Sequence, residues 1–216
     1  MSNFNRKNHW ENIYENKPLD TVSWFQPIPE TSLEFIRNLY LDKEVAIIDI
    51  GGGDSFLVDH LLEEGYTNIT VLDISEKAIE RAKERLGNSA VKVKWIVSDI
   101  TQFVSTEKYD VWHDRAAFHF LTDEKDISKY LEIAEKSINP EGNLLIGTFS
   151  ESGPTKCSGI EIKQYSEEKI TRLFEPEFGK VNCALVDHKT PFDTFQNFIF
   201  CSFRRNKTNE FEKTLF

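Results

Sequence analysis

Long apolar runs are missing from this chain, and so is any excess of positive charge. No stretch approaches the roughly 20 apolar residues that a membrane-spanning helix needs. Its 26 Lys and Arg face 36 Asp and Glu, a formal net charge of −10. That balance speaks against non-specific nucleic-acid binding, which runs on clustered cations, while leaving room for a structured RNA on a local patch. Cysteine is scarce: Cys157, Cys183 and Cys201 are widely spaced, odd in number and form no CxxC. Residues 1–7 hold no apolar segment of a secretion signal, so the three cysteines are expected to be reduced thiols in a cytoplasmic protein. No His, Cys and Asp grouping has metal-ligand spacing, and Ser55 lacks a triad partner, so neither metal nor serine-hydrolase chemistry finds support. Internal repeats and low-complexity linkers are absent as well. What the chain does have is 17 Phe and ordinary hydrophobic content within 216 residues, which excludes general disorder and predicts one domain with a full core.

The most informative segment runs from Val45 to Ser55, Val-Ala-Ile-Ile-Asp-Ile-Gly-Gly-Gly-Asp-Ser. A β-branched apolar run meets an acidic residue and three glycines, and a helical stripe of Val58, Leu61 and Leu62 follows, with Gly65 placed to end it. A buried strand breaking into a glycine turn and a helix is the first unit of a nucleotide-type α/β fold, where glycine lets backbone approach a ligand. A dinucleotide site needs G-x-G-x-x-G for its pyrophosphate. Gly51 and Gly53 fit, but Phe56 stands at the third position, and Asp49 with Asp54 puts negative charge where the pyrophosphate must go. A cofactor without phosphates and with a positive centre suits the turn better. S-adenosylmethionine, with an ammonium and a sulfonium, has that character.

Strand and helix patterns then alternate, which implies a parallel sheet covered on both faces. Ile69–Leu72 reads as strand two, followed by a helix starting near Ser75 that packs Ile79, Ala82 and Leu86. Val91, Val93, Trp95 and Val97 alternate as strand three, and Tyr109–Trp112 forms strand four. Ile127, Leu131, Ala134 and Ile138 make a helical stripe, Asn139–Gly142 a turn, and Leu144–Phe149 strand five. A helix follows around 166–175, and Lys180–His188 with Phe195–Phe203 forms a late antiparallel hairpin. Residues 8–40 predict two helices joined by the aromatic stretch Val22–Pro27. The expected organisation is a helical lid at 1–44, the main domain at 45–205 and a loose tail at 206–216.

Asp73 lies at the C-terminal end of strand two, the end that faces the crevice in an open α/β sheet, where a carboxylate accepts both ribose hydroxyls. A helix-start carboxylate is the plainer alternative, but Ser75 is the better cap. Asp99 repeats the arrangement after strand three, with Ile100 available to pack on an adenine; a solvated loop Asp is the alternative.

The ordered series Asp49-x-Gly51-x-Gly53, Asp73, Ser98-Asp99-Ile100 and Tyr109-Asp110-Val111 resembles the class I S-adenosylmethionine-dependent methyltransferases, from about residue 45 to 203. Ser55 departs from the third glycine of many members. The resemblance implies a Rossmann-like α/β fold: a seven-stranded, mostly parallel sheet with an antiparallel last strand and helices on both faces. It also implies cofactor contacts at Asp49, Gly51, Gly53, Asp73, Ile74, Asp99 and Ile100. The run Asp110-x-x-x-Asp114-Arg115 is similar to two branches, thiopurine-type small-molecule enzymes and enzymes acting on protein lysines. Trp10–Tyr14, with Trp24-Phe25 after it, looks like the opening segment of the lysine-modifying branch.

Methyl transfer is an in-line displacement whose leaving group needs no acid, so positioning carries most of the acceleration, and a base matters only for a protonated acceptor. Asp114, His113 and His119 lie just past strand four, where the methyl is expected. Asp114 could orient the acceptor or contact the methionine amino group, or else pair with Arg115 or a neighbouring helix; His119, in an apolar setting, is a candidate base or a packed core histidine. Trp10, Tyr14, Trp24 and Phe25, with Arg115, are candidates for a lid and acceptor wall, or a staple for the N-terminal helices. The expected function is methyl transfer to a small-molecule N, S or O acceptor, yielding S-adenosylhomocysteine. A protein lysine is the alternative acceptor, and a non-catalytic S-adenosylmethionine-binding module the alternative of another class. A dinucleotide oxidoreductase is disfavoured by Phe56 and Asp49.

Overall fold

The computed structural model describes residues 4–207; most of the tail expected at 206–216 lies outside the described residues. Five strands, β1 (Ile47–Ile50), β2 (Ile69–Asp73), β3 (Val93–Val97), β4 (Tyr109–Arg115) and β5 (Ile138–Phe149), are joined in turn by α3 (Leu57–Glu63), α4 (Glu76–Leu86), a 3₁₀ turn at Ile100–Gln102 and α5 (Glu124–Ser137). Helices α1 (Arg6–Asn16) and α2 (Glu30–Arg37) precede them. After β5 come the two-residue strands β6 (Lys156–Cys157) and β7 (Ile160–Glu161), helix α6 (Glu167–Phe174), and the long hairpin β8 (Phe178–Lys189) and β9 (Phe195–Arg205). The seven-stranded sheet has the order β3-β2-β1-β4-β5-β9-β8, with β9 antiparallel to both neighbours and the other pairs parallel.

The period of two along each strand divides the core between the two faces. Ile47, Val71, Val111 and Leu145 pack on one side with Leu33 and Ile36 of α2 and Leu57 and Leu61 of α3. Their neighbours Ile48, Leu72, Trp112 and Leu144 pack on the other with Tyr130 of α5 and Phe174 of α6. Strand order reverses between β1 and β4, so the crevice opens at the C-terminal ends of those two strands, beside the glycine turn.

Three local expectations change. Val91 lies in a 3₁₀ turn and is 89% exposed, because β3 is an edge strand that begins only at Val93. The segment Asn139–Gly142 is a bulge inside β5: pairing jumps from Tyr109–Ile138 to Val111–Asn143, with Glu141 at φ +63°. Cys183 and Cys201, expected as free thiols, are register partners in the β8–β9 ladder and form a disulfide; Cys157 is free and buried. Sequence spacing gives no hint of that pairing, which follows only from the register of the hairpin.

Helix α1 is tied to α4 by reciprocal capping. The Glu11 carboxylate accepts from Ser75 Oγ at 2.8 Å and from the amides of Glu76 and Lys77 at 2.9 and 3.1 Å. In return Arg81 donates to the carbonyls of Tyr14 and Lys17, at the end of α1. A carboxylate on the first turn of one helix and a guanidinium on the last carbonyls of another both complement the helix dipole. This holds α1 across the mouth of the crevice.

Candidate active site

The glycine turn is built so that two carboxylates can stand against backbone. Gly51 sits at φ +66°, and its amide donates to Leu72 O at 2.7 Å. A β-carbon on Gly52 would lie 2.3 Å from Oδ2 of Asp49, and one on Gly53 2.5 Å from Oδ2 of Asp73 and 2.7 Å from the Ala78 β-carbon. Gly53→Ala is therefore expected to force the turn off Asp73, costing roughly 1–3 kcal/mol of stability. Thermal melts with and without S-adenosylhomocysteine check this; a normal melt with a normal ligand-induced shift would count against it.

Asp49 is buried and belongs to a polar chain that runs off the sheet. His113, its register partner on β4, places Nδ1 at 2.7 Å from Asp49 Oδ1, and Nε2 lies 2.9 Å from Ser32 Oγ on α2. A carboxylate only accepts, so Nδ1 donates to Asp49, while Nε2 shares a hydrogen bond with the Ser32 hydroxyl. Asp54 does not stand free beside it, contrary to expectation. Arg85 Nη1 lies 2.6 Å from its Oδ1 and Arg81 Nε 2.9 Å from its Oδ2, so its charge is neutralised within the α3–α4 seam. Phe56, expected to obstruct a helix–strand contact, caps the start of α3 with its ring against Phe25 and the Arg85 guanidinium.

Asp73 is anchored by backbone and almost without solvent. The amide of Ser75 donates to Oδ1 at 2.8 Å, and the Gly53 amide faces the same carboxylate. Burial pushes its carboxyl up to about 7, with the Asp49 charge adding to the rise and the two amides opposing it. Asp99 receives the amide and hydroxyl of Thr101 on Oδ1, and Arg6 of α1 lies 3.3 Å from Oδ2 while also pairing with Asp126. Ile74 and Ile100 line the cleft beside these carboxylates.

The aromatic residues of the N-terminal segment close the cleft from above. Trp10 lies edge-on to Trp24 at 5.8 Å and to Phe120 at 5.0 Å, Tyr14 stands 6.1 Å from Trp10, and Phe25 also lines the cleft. Phe120 and, from the distant hairpin, Gln196 and Phe198 complete the wall. No local sequence pattern marks these last two, because β9 arrives there only through the folded sheet.

Two expected catalytic groups are placed elsewhere. Asp114 is fully buried beneath the turn after β4 and does not line the cleft. Its Oδ1 accepts from the amides of Ala117 and Phe118, and its Oδ2 from Tyr130 OH, which in turn accepts from Trp112 Nε1. All its short contacts are structural, and the expected pairing with Arg115 is absent among the described residues. Burial raises its carboxyl to about 6. His119 is stacked on Phe149, accepts from the Phe149 amide at Nδ1, and is pushed down to about 3 by burial with help from the Arg115 charge. It is a neutral core ring at any physiological pH, also off the cleft. Arg115 does face the cleft: Nη1 donates to Trp24 O at 3.2 Å, and the guanidinium stands 5.1 Å from the Phe198 ring.

A crevice at the β1/β4 switch point, a glycine turn with acidic strand ends and no phosphate-type environment together define a class I S-adenosylmethionine-dependent methyltransferase fold. A family model described as a methyltransferase domain matches residues 41–193, and the chain belongs to that family. Among curated relatives it is 35% identical over 107 residues to a malonyl-[acyl-carrier protein] O-methyltransferase of Anoxybacillus flavithermus, covering 49% of this chain and 39% of that protein. It is 28% identical over 129 residues to the eEF1A lysine and N-terminal methyltransferase of Mus musculus, covering 58% and 18%. The chain thus spans well under two thirds of these relatives' length. Among solved structures, the N-methyltransferase NodS of Bradyrhizobium japonicum bound to S-adenosylhomocysteine aligns over 90% of this chain and 97% of its own, with a TM-score of 0.67 at 18% identity. S-adenosylmethionine is the cofactor of this family, and the turn that a β-carbon would fill, with buried carboxylates behind it, fits a phosphate-free cation.

Proposed function

We propose that the protein methylates a small molecule, with residues 1–44 acting as a lid over the domain of 45–205. The bound cofactor supplies an activated methyl on a sulfonium for in-line displacement. Asp49, oriented by His113 and Ser32, would hold the cationic methionine end; Gly51 and Gly53 admit it; Asp73 would accept the ribose hydroxyls. Ile74 and Ile100 would pack on the adenine, and Asp99 Oδ2 keeps a lone-pair site beside Arg6 for its amino group. Trp10, Tyr14, Trp24 and Phe25 exclude water from the reacting end.

The observation that carries the small-molecule reading is the wall past β4. Asp114 is turned away and spent on the turn, His119 is neutral and off the cleft, and Arg115 supplies a positive charge. A lysine acceptor arrives as an ammonium and must lose a proton, for which this wall offers a repulsive cation in place of a base. One feature favours the protein-lysine reading: the rings of Trp10, Trp24 and Phe120 suit a cation, as the eEF1A methyltransferases among the relatives would require. Methyl-labelled cofactor incubated with the protein and a cell lysate separates the two. Label is expected in the low-mass fraction; label retained on a protein band would overturn the small-molecule reading.

A further inference from the structure

Arg115 lines the cleft, and the cofactor contacts leave it unexplained. Its Nη2 is shielded from solvent and has no hydrogen-bond partner among the described residues, while Nη1 reaches only a backbone carbonyl. No acidic side chain forms an ion pair with it among those residues, in a chain with ten more acids than bases. The groups in contact with it are neutral or apolar, while the Asp49 charge, already bonded to His113, acts on it from beyond ion-pair distance. The Phe198 ring lies under the guanidinium, the Cys157 thiol is held protonated by burial, and Gln196 presents a second buried atom, Oε1, without a partner. His188 is kept neutral by burial and by the Arg115 charge, its Nε2 donating to Ser23 O and its Nδ1 accepting from Gln26. Charges shielded from solvent in proteins are ordinarily paired, since removal from water without a counter-ion is unfavourable.

Resting on the methyltransferase reading above, we propose that the missing partner is a carboxylate on the methyl acceptor, received by the Arg115 guanidinium. A carboxylate matches the planar fork of a guanidinium and would take the free Nη2 donor. The donor's own methionine carboxylate shares this chemistry. Position favours the acceptor: Asp73 and Asp99 stand on the β2–β3 side of the cleft, whereas Arg115 leans the other way, onto Phe198 of β9 and into the depression lined by His188 and Phe200. The Gln196 amide lines the main cleft, as Arg115 does, and offers the carboxylate's neighbouring group an acceptor, or two donors if turned over. Arg115 is thus a specificity residue that selects anionic acceptors and rejects ammonium ones.

The test titrates acetate, hexanoate, phenylacetate and malonate, each beside its amide, into the protein saturated with S-adenosylhomocysteine, with thermal shift and calorimetry as readouts. At least one carboxylate is expected to bind saturably and about 30-fold more tightly than its amide, and Arg115→Gln is expected to abolish the difference. Arg115→Lys is expected to retain part of it. Equal binding of acids and amides, or none of either, would overturn the proposal without recourse to any variant. If Arg115→Gln folds but loses S-adenosylhomocysteine affinity about 30-fold, the carboxylate is the donor's and the acceptor assignment falls. Turnover is followed separately, as S-adenosylhomocysteine formed from a low-mass cell extract split by anion exchange. Activity is expected in the retained fraction, and activity confined to the flow-through would also overturn the proposal. Absence of turnover in every fraction, with carboxylate binding intact, would instead remove the small-molecule methyltransferase reading while Arg115 keeps its anion site.

Discussion

Asp73→Asn is expected to weaken S-adenosylhomocysteine binding by about 100-fold or more while leaving the fold at least as stable at pH 8. The loss follows from replacing a carboxylate that receives two hydroxyls by an amide, since hydrogen bonds to a charged group contribute roughly 1.5–3 kcal/mol each. The stability side follows from linkage. Burial lifts the Asp73 carboxyl from 3.8 to about 7 in the folded chain. A folded-state value above the unfolded one means that stability is greatest below about pH 4 on this group's account and declines as pH rises to about 7. The full decline is on the order of 4 kcal/mol. The variant removes that slope, although it leaves one of the Ser75 and Gly53 amides less well satisfied. Ligand affinity has the opposite sign: ribose hydroxyls donate to the ionised form, so the wild type is expected to bind about tenfold more tightly at pH 8 than at pH 6 and to release a proton on binding at pH 6. Calorimetry in buffers of different ionisation enthalpy reads both. Affinity flat across this range would show that Asp73 does not receive the cofactor.

Asp114→Ala is expected to damage the fold instead of the chemistry. It strips the acceptor from the buried Phe118 amide and Tyr130 OH and from the part-buried Ala117 amide. At roughly 1–3 kcal/mol for each orphaned donor, the loss is about 4 kcal/mol or more, and a chain of this size responds with a Tm about 10 °C lower. Asp114→Asn keeps an acceptor for the two amides and presents a donor to the tyrosine oxygen, so it is expected to melt within about 4 °C of the wild type. Measured per folded molecule, S-adenosylhomocysteine affinity should survive in both. A variant that melts normally yet turns over nothing would return Asp114 to the reaction.

Asp114 also marks where sequence reasoning ended. Its position after β4 is plain from the alternation of Tyr109–Arg115, but a strand tells only which face a side chain leaves by, not what meets it there. Tyr130, sixteen residues on, decides that. His113 shows the reverse: standing among candidate residues with no assigned partner, it becomes the link between Asp49 and Ser32 once β1 and β4 align in register. Asp54 was legible as charge near the turn; that Arg81 and Arg85 neutralise it was not, because those residues come from the next helix.

By itself the sequence determined the sheet's parallel run, the glycine turn, the acidic strand ends at Asp49, Asp73 and Asp99, and hence the methyl donor. These are properties of short segments, where residue type and spacing act through local geometry: glycine freedom, strand period and the end of a strand facing the crevice. The tertiary structure alone decided which polar groups remain unpaired, since pairing depends on groups brought in from as far as 165 residues away, as for His188 and Ser23. The same long-range assembly joined Cys183 to Cys201, set α1 across the cleft, and left Arg115 half-buried with one shielded donor to spare. The donor's site is written locally, while the acceptor's site is assembled from β4, β9 and the N-terminal helices.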